Sequence, residues 1–330
     1  MRKIILGILL FSFFVSVSLF AEEVDQGLLN RLKTEGVAGL RAQEKYLKHV
    51  HLAYVSTAEN GRFEYDYYAD GDDFLLKSEI PADMRESKPD YREYIQGKNE
   101  NYFFSIDKKK SEETWKISEC LDVNDFNPEE YDIYDVFSIF PCYLFMTPLS
   151  EILESPGVEI THIESIGDTP EETISLDFEI NADDAIKGND ALRTGNVQLL
   201  PARRWAVKEA TLRSNRGGKG FVTTFTFTYG ENDNKPYQVK RAETKLYFNP
   251  DDLSKSVSWD YDIQNVDDAQ VAKKERFLKY YGLDEPEFSD AHAEWFRYVL
   301  LAVGVLMILA AVVRFVGRKK NASGGADSDN

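Results

Sequence analysis

Apolar residues near the start of the folded region recur at helical spacing. In "VDQGLLNRLKTEGVAGLRAQEKYLKHV" the leucines at 28, 29, 32, 40 and 47 fall at the helical spacings of three, four, seven and eight, with Lys, Arg and Glu between them. This predicts an amphipathic helix, weakened at Gly36, where the backbone is freest. From residue 51 the period drops to two. "HLAYVS", "RFEYDYY", "DFLLKSEI", "NYFFSI" and "ETWKIS" alternate apolar and polar residues, are rich in aromatic and β-branched side chains, and are separated by clusters of Gly, Asn, Asp or Lys. They read as an antiparallel meander.

A helical interlude follows. In "FNPEEYDIYDVFSIF", Asn127 is placed to cap, Pro128 suits a first turn and Glu130 completes a capping box, predicting a helix from Pro128 to Phe140 that Pro141 ends. "TPLSEILE" repeats the pattern with Thr147 as the cap. Period two then returns in "VEITHIESI", "TISLDFEI", "RRWAVKEATLRS", "GFVTTFTFTYG", "YQVKRAETKLYFN" and "SVSWDYDI". The pattern predicts one α+β domain over residues 22–294: an extended antiparallel sheet of about a dozen strands, an N-terminal helix and a central helical insertion. Residues 268–283, "DAQVAKKERFLKYYGL", fit a helix or a strand equally.

The two ends of the chain are hydrophobic for a different reason. Residues 1–21 run from Met-Arg-Lys through an apolar core to Ala21, the order of an export signal, although Leu19 is a poor residue two places before a cleavage point. Whether cleavage falls at Ala21 stays open. Residues 295–316 hold an uncharged stretch from Tyr298 to Val313, with Trp295, Phe296 and Tyr298 before it and Arg314, Arg318, Lys319 and Lys320 behind. Counting a snorkelling Arg314, this reaches the roughly 20 residues that a transmembrane helix needs. The basic flank assigns residues 317–330, a small polar tail, to the cytoplasm, and leaves residues 22–294 on the periplasmic or extracytoplasmic side of a single-pass membrane protein.

Charge and chemistry narrow the function. The net charge is −18, and seven of the basic residues lie in the hydrophobic ends, so the exported stretch is more acidic still. Such a field repels phosphate backbones, which excludes nucleic acid as a partner. No Gly-x-Ser-x-Gly elbow, His-Glu-x-x-His helix or Walker loop occurs, and neither cysteine has a histidine beside it, so no enzyme and no cofactor are expected. Cys120 and Cys142 are either a disulfide of an oxidising compartment or two free thiols. The acid-rich "FEYDYYADGDDFLLKSE" lacks the ligand spacing of a calcium loop. Its Asp-Gly predicts a hairpin of type I′, with Asp70, Asp72 and Asp73 on a solvated turn. "HVH" would set His49 and His51 on one face of a strand, two corners of a metal site without a third; no metal is expected.

The order of elements, with the phrases "GKNENYFFSI", "LLPARRWAVKEATLRS" and "FLKYYGLDEP", resembles secreted bacterial proteins similar to lipoprotein carriers of the LolA type. The resemblance covers most of residues 24–283. It implies a strongly curved, incomplete barrel wrapped over helices, with an apolar cavity for a lipid or an acylated protein. The segment "VFSIFPCYLFM" has apolar residues on every side, so more than one face must be covered. Val136, Phe137, Ile139, Phe140, Tyr143, Leu144, Phe145 and Met146 are either core beneath the sheet or the wall of such a cavity. An envelope protein partner or glycan, met by an interaction or sensing module, is the alternative function.

Overall fold

The computed structural model describes residues 24–288 apart from residues 60, 82–83, 85–90, 132, 169–171, 182–191, 217–218, 231–238, 251 and 287. The expected export signal (residues 1–21), the expected membrane segment 295–316 and the tail 317–330 lie outside the described residues. Among the described residues no helix is long and apolar enough to cross a membrane. The described residues up to Asp284 form one compact unit.

The predicted amphipathic helix is present in two parts, α1 (Gln26–Arg31) and α2 (Val37–Leu47). Asp25 caps it, its Oδ1 accepting from the amides of Gly27 (2.8 Å) and Leu28 (3.0 Å). Between the parts, Leu32–Gly36 widens into a π-helical turn at the glycine that the sequence marked as weak. Gly36 and Gly39 bring the helix close to a neighbouring loop. A Cβ on Gly36 would lie 3.2 Å from the Trp205 ring, and one on Gly39 would lie 2.8 Å from the Arg204 carbonyl oxygen. Arg204 and Trp205 both hold left-handed backbone (φ +57° and +62°). Gln43 donates to that same carbonyl at 2.8 Å, tying the strained loop to the helix.

Thirteen strands form one antiparallel sheet. A first meander, β1 (His51–Ala58), β2 (Gly61–Asp70), β3 (Asp73–Glu79), β4 (Arg92–Lys98), β5 (Tyr102–Lys109) and β6 (Lys116–Asp122), makes one arm. The insertion follows: α3 (Ile133–Phe137), a two-strand ribbon of β7 (Tyr143–Leu144) and β8 (Thr147–Pro148), then α4 (Leu149–Glu154). A second meander forms the other arm: β9 (Val158–Ile166), β10 (Thr173–Ile180), β11 (Leu192–Leu200), β12 (Ala206–Arg216), β13 (Lys219–Tyr229), β14 (Val239–Tyr247) and β15 (Ser256–Asp267). Strands β1 and β15 pair from His51↔Asp267 to Ala58↔Trp259 and join the arms, leaving β6 and β9 as the edges.

The helices pack on one face of this sheet. Leu32, Leu40 and Leu47 meet Val136, Ile139, Leu149 and Ile152 and the inward side chains Leu52, Phe74, Phe103, Leu176, Phe178 and Phe225 in one core. A second, smaller core lies on the opposite face of the first arm, where Leu75, Ile95, Tyr102, Phe104 and Ile106 are covered by Leu278, Phe277 and Tyr281. The cover is the segment left open between helix and strand. It is neither, but two 3₁₀ turns, Lys273–Arg276 and Leu278–Tyr281, laid across the strands as a strap.

Four local expectations change. The helix predicted over Pro128–Phe140 is a 3₁₀ turn (Pro128–Glu130) followed by the short α3: Pro141 disfavours helix at the residue before it, and packing of Val136, Ile139 and Phe140 into the core prevails over regular propagation. Thr147 does not cap α4; it pairs in β8, and Pro148 stands at the cap position without a side-chain bond. At the Asp-Gly hairpin only Gly71 has positive φ (+70°), the pattern of type II′ and not of I′. Lastly, no disulfide joins Cys120 to Cys142. Cys120 stands opposite Phe104 and packs in the strap-side core, while Cys142 is fully buried in the helix-side core, so the sheet separates them beyond bonding reach.

Candidate functional site

The tip of the β2–β3 hairpin folds against the end of α2. Gly71 N–H donates to the carbonyl of Lys48 (2.8 Å), and Ala69 N–H donates to that of Val50 (2.9 Å). Opposite this corner, α3 and the turn after it present aromatic side chains. The space between has a volume of about 320 Å³, within the usual range for small-ligand sites of about 300–1,000 Å³. Six of its fifteen lining residues carry aromatic rings: Tyr67 and Phe74 from the hairpin, Phe126 before α3, then Phe137, Phe140 and Tyr143. Tyr67 lies 6.1 Å from Phe140 and 6.4 Å from Phe74 between centroids, and Phe137 lies 5.1 Å from Tyr143. Such offset and tilted contacts hold the rings as a preformed wall.

Polar groups on the lining are few. Burial pushes the phenols of Tyr67 and Tyr143 upward, keeping both as neutral O–H donors. Among the described residues neither hydroxyl has a protein hydrogen-bond partner. Lys48 and Lys98 also line the space. Lys48 Nζ is 3.4 Å from Asp72 Oδ1, and Lys98 Nζ donates to the Asp72 carbonyl oxygen at 2.9 Å.

The acidic tip also holds the strap, on the far side of the sheet. Arg276, almost fully buried, donates to Asp70 Oδ2 (2.7 Å) and Asp73 Oδ2 (3.2 Å), and its carbonyl accepts from Asn99 Nδ2 (2.7 Å). The Arg276 guanidinium holds the Asp70 carboxyl below its usual range, whereas burial raises that of Asp73. The aspartates expected on a solvated turn are therefore divided: Asp72 is exposed, and the other two clasp an arginine.

The residues singled out from "VFSIFPCYLFM" divide as well. Phe137, Phe140 and Tyr143 line the pocket. Val136, Ile139 and Leu144 are fully buried core. Phe145, in a left-handed conformation (φ +57°), packs edge-on to Phe225 at 5.6 Å, and Met146 is half-buried outside the lining. The sequence reading missed Tyr67, Phe74, Phe126, Lys48 and Lys98. Tyr67 and Phe74 were legible as inward positions of the hairpin; no local signal linked the two lysines to them.

Other candidate chemistry is occupied structurally. His51 is stacked on Tyr68 (4.2 Å), and its two ring nitrogens face Asp66 and Asp267, each at 3.0 Å, so it crosslinks β1 to both neighbours. His49 lies before β1 and turns to Asp70 at 3.4 Å. Among the described residues no group of three or more His, Cys, Asp or Glu is arranged to hold a metal. Burial pushes the Cys142 thiol well up, away from the nucleophilic thiolate. A second, larger groove of about 1030 Å³ runs beside edge strand β9, between Leu29, Lys33 and Val37 on the helix and Val158 to Ile160 on the strand.

Compared with models of known protein families and with curated proteins, the chain matches none.

Proposed function

We propose that the exported domain binds an apolar ligand, a lipid or the acyl group of an acylated protein, without catalysis, as an open LolA-like barrel tethered to the membrane by residues 295–316. The observation that carries this reading is the ring-lined pocket of about 320 Å³ between the β2–β3 hairpin and α3. At about 25 cal/mol per Å² of apolar surface, covering even a hundred or two Å² of hydrocarbon supplies several kcal/mol of affinity. The unpaired edges β6 and β9 accord with an incomplete barrel. The basic residues Arg2 and Lys3 before the first apolar run and Arg314 to Lys320 after the second support an extracytoplasmic domain with a cytoplasmic C-terminus.

Native mass spectrometry of the purified full chain tests the reading. An adduct of lipid mass is expected, and Phe137→Trp, which fills the pocket, should remove it. A chain that carries no lipid and binds no fluorescent fatty acid overturns the proposal.

The large groove beside edge strand β9 favours a second reading, an interaction module that accepts an extended protein segment by strand addition. Crosslinking in cells separates the two. A protein joined through Val158 to Ile160, with the pocket empty, favours the second.

A further inference from the structure

We propose that the pocket selects a single-chain amphiphile with an anionic head, held at Lys48 and Lys98. The inference rests on the ligand-binding reading above and deepens it to a chemical class.

The argument is a count of hydrogen-bonding capacity on the pocket wall. Four residues of its lining carry donors, Lys48 and Lys98 through their ammonium groups and Tyr67 and Tyr143 through their phenols. Lys98 spends one N–H on a carbonyl oxygen, and Lys48 meets one carboxylate oxygen at the long distance of 3.4 Å. Ammonium groups offer three N–H each, so most of this capacity is unused. The two phenols, at 94% burial in the case of Tyr67, have no partner among the described residues. Against these stand two carboxylates. Asp73 is engaged by Arg276, and Asp72 is 87% exposed.

A pocket rich in donors and poor in acceptors complements a group that only accepts, such as a carboxylate or a phosphate. A neutral alcohol head would bring a further donor and no charge to meet the two ammonium groups. Size sets the rest. A volume of about 320 Å³ holds about ten groups of the size of water or methylene, taken at about 30 Å³ each. That is room for one chain and not for two. The net charge of −18 sharpens the point, because two lysines meeting at one apolar opening run against the field of the whole molecule.

The test uses membranes containing the full chain and three photoreactive probes with the same ten-carbon chain, ending in a carboxylate, a phosphate or a hydroxyl. Crosslinked peptides are then mapped. The carboxylate or phosphate probe should label the peptides carrying Tyr67 and Phe137 at least about tenfold more than the alcohol, the ratio expected when a charge-assisted hydrogen bond is made or lost. Whichever acid labels better identifies the head. Lys48→Gln with Lys98→Gln should abolish this preference. Asp72→Asn, on the exposed turn, removes the competing carboxylate and should raise acid labelling about two- to fivefold, the worth of an exposed ion pair. Equal labelling by all three probes, unmoved by either variant, overturns the anionic head and leaves the apolar pocket standing. Absence of any label on the Tyr67 and Phe137 peptides overturns both.

Discussion

Strands β5 and β13 are both interior strands with a neighbour on each side, yet they are buried differently. In β5 the six residues from Tyr102 to Asp107 are all buried. In β13 burial alternates from Phe225 onward, with Phe225 and Phe227 inside and Thr226 and Thr228 exposed. The cause lies above and below the sheet. Phe103 enters the helix-side core against Phe126 and Tyr131 (4.4 and 4.3 Å), while Phe104 and Tyr102 lie under the strap with Tyr281 and Phe277. From Phe225 onward only the helix side of β13 is covered. Continuous burial in an antiparallel strand therefore announces a second layer, and here that layer is a strap without regular secondary structure.

The largest expected effect breaks this contrast at two glycines. Gly97 faces Phe104 across the β4–β5 pair, and Gly195 faces Phe178 across β10–β11. In each case an added Cβ would fall 2.4 Å from the ring. Gly195→Ala overpacks the main core, where Phe178 has nowhere to move, and should cost about 3 kcal/mol, read as a lower denaturation midpoint. Gly97→Ala presses Phe104 toward the strap, which can lift. A smaller global loss with faster hydrogen exchange confined to residues 271–283 is expected. Equal global losses would show that the strap is as firmly built as the core.

Next comes the clasp itself. Arg276→Ala leaves Asp70 and Asp73 without their cation. Because Asp70 is already 41% exposed and can rehydrate, the expected loss is about 2 kcal/mol, below the 3–5 typical of a broken buried pair. Loss of strap protection in hydrogen exchange, with faster labelling of Cys120 by maleimide and unchanged protection of β11 to β13, is the predicted signature. Uniform loss across both arms would contradict the separate-layer account.

The smallest effect concerns acid. Arg31 grips Glu172 through two bonds of 2.6 and 2.9 Å, lowering its pKa from the ordinary 4.5. A depressed carboxylate contributes stability that is fully present above its unfolded pKa and is lost as pH falls through the folded value. Denaturation midpoints should therefore fall below pH 4.5, and Arg31→Gln should flatten that fall by at most about 1 kcal/mol, since Arg31 is one-third exposed. Asp70 follows the same sign with Arg276, whereas Asp73, raised by burial, opposes it. Acid should consequently loosen the Arg31–Glu172 contact more cleanly than the strap, a difference that exchange measured at pH 3.5 and 6 resolves.

Much of the fold was legible because its signals are local. The run "TISLDFEI" coincides with β10, Thr173–Ile180, and the period-two segments recover both arms. Strands β4 and β11 were passed over, since "REYIQGK" and "LRTGNVQLL" carry an interior glycine that weakens the strand pattern. Those glycines are Gly97 and Gly195, whose reason is a ring on the adjacent strand. Of the candidate site, Phe137, Phe140 and Tyr143 were named from an apolar run with no single face. Which of its residues would face a space and which would fill one depended on the positions of Tyr67 and Phe126.

What the sequence determined by itself follows from interactions between near neighbours. Helix spacing, strand alternation, the glycine at a tight turn and the acidity of the region between two hydrophobic ends need no knowledge of distant residues. Tertiary structure decided the rest. It put Cys120 and Cys142 on opposite faces, gave two aspartates of a turn to an arginine about two hundred positions away, and brought two lysines to the edge of a pocket walled by three separate elements. Pairings of that range are set by which surfaces the folded chain brings together, and a linear pattern of hydrophobic and polar residues carries no record of them.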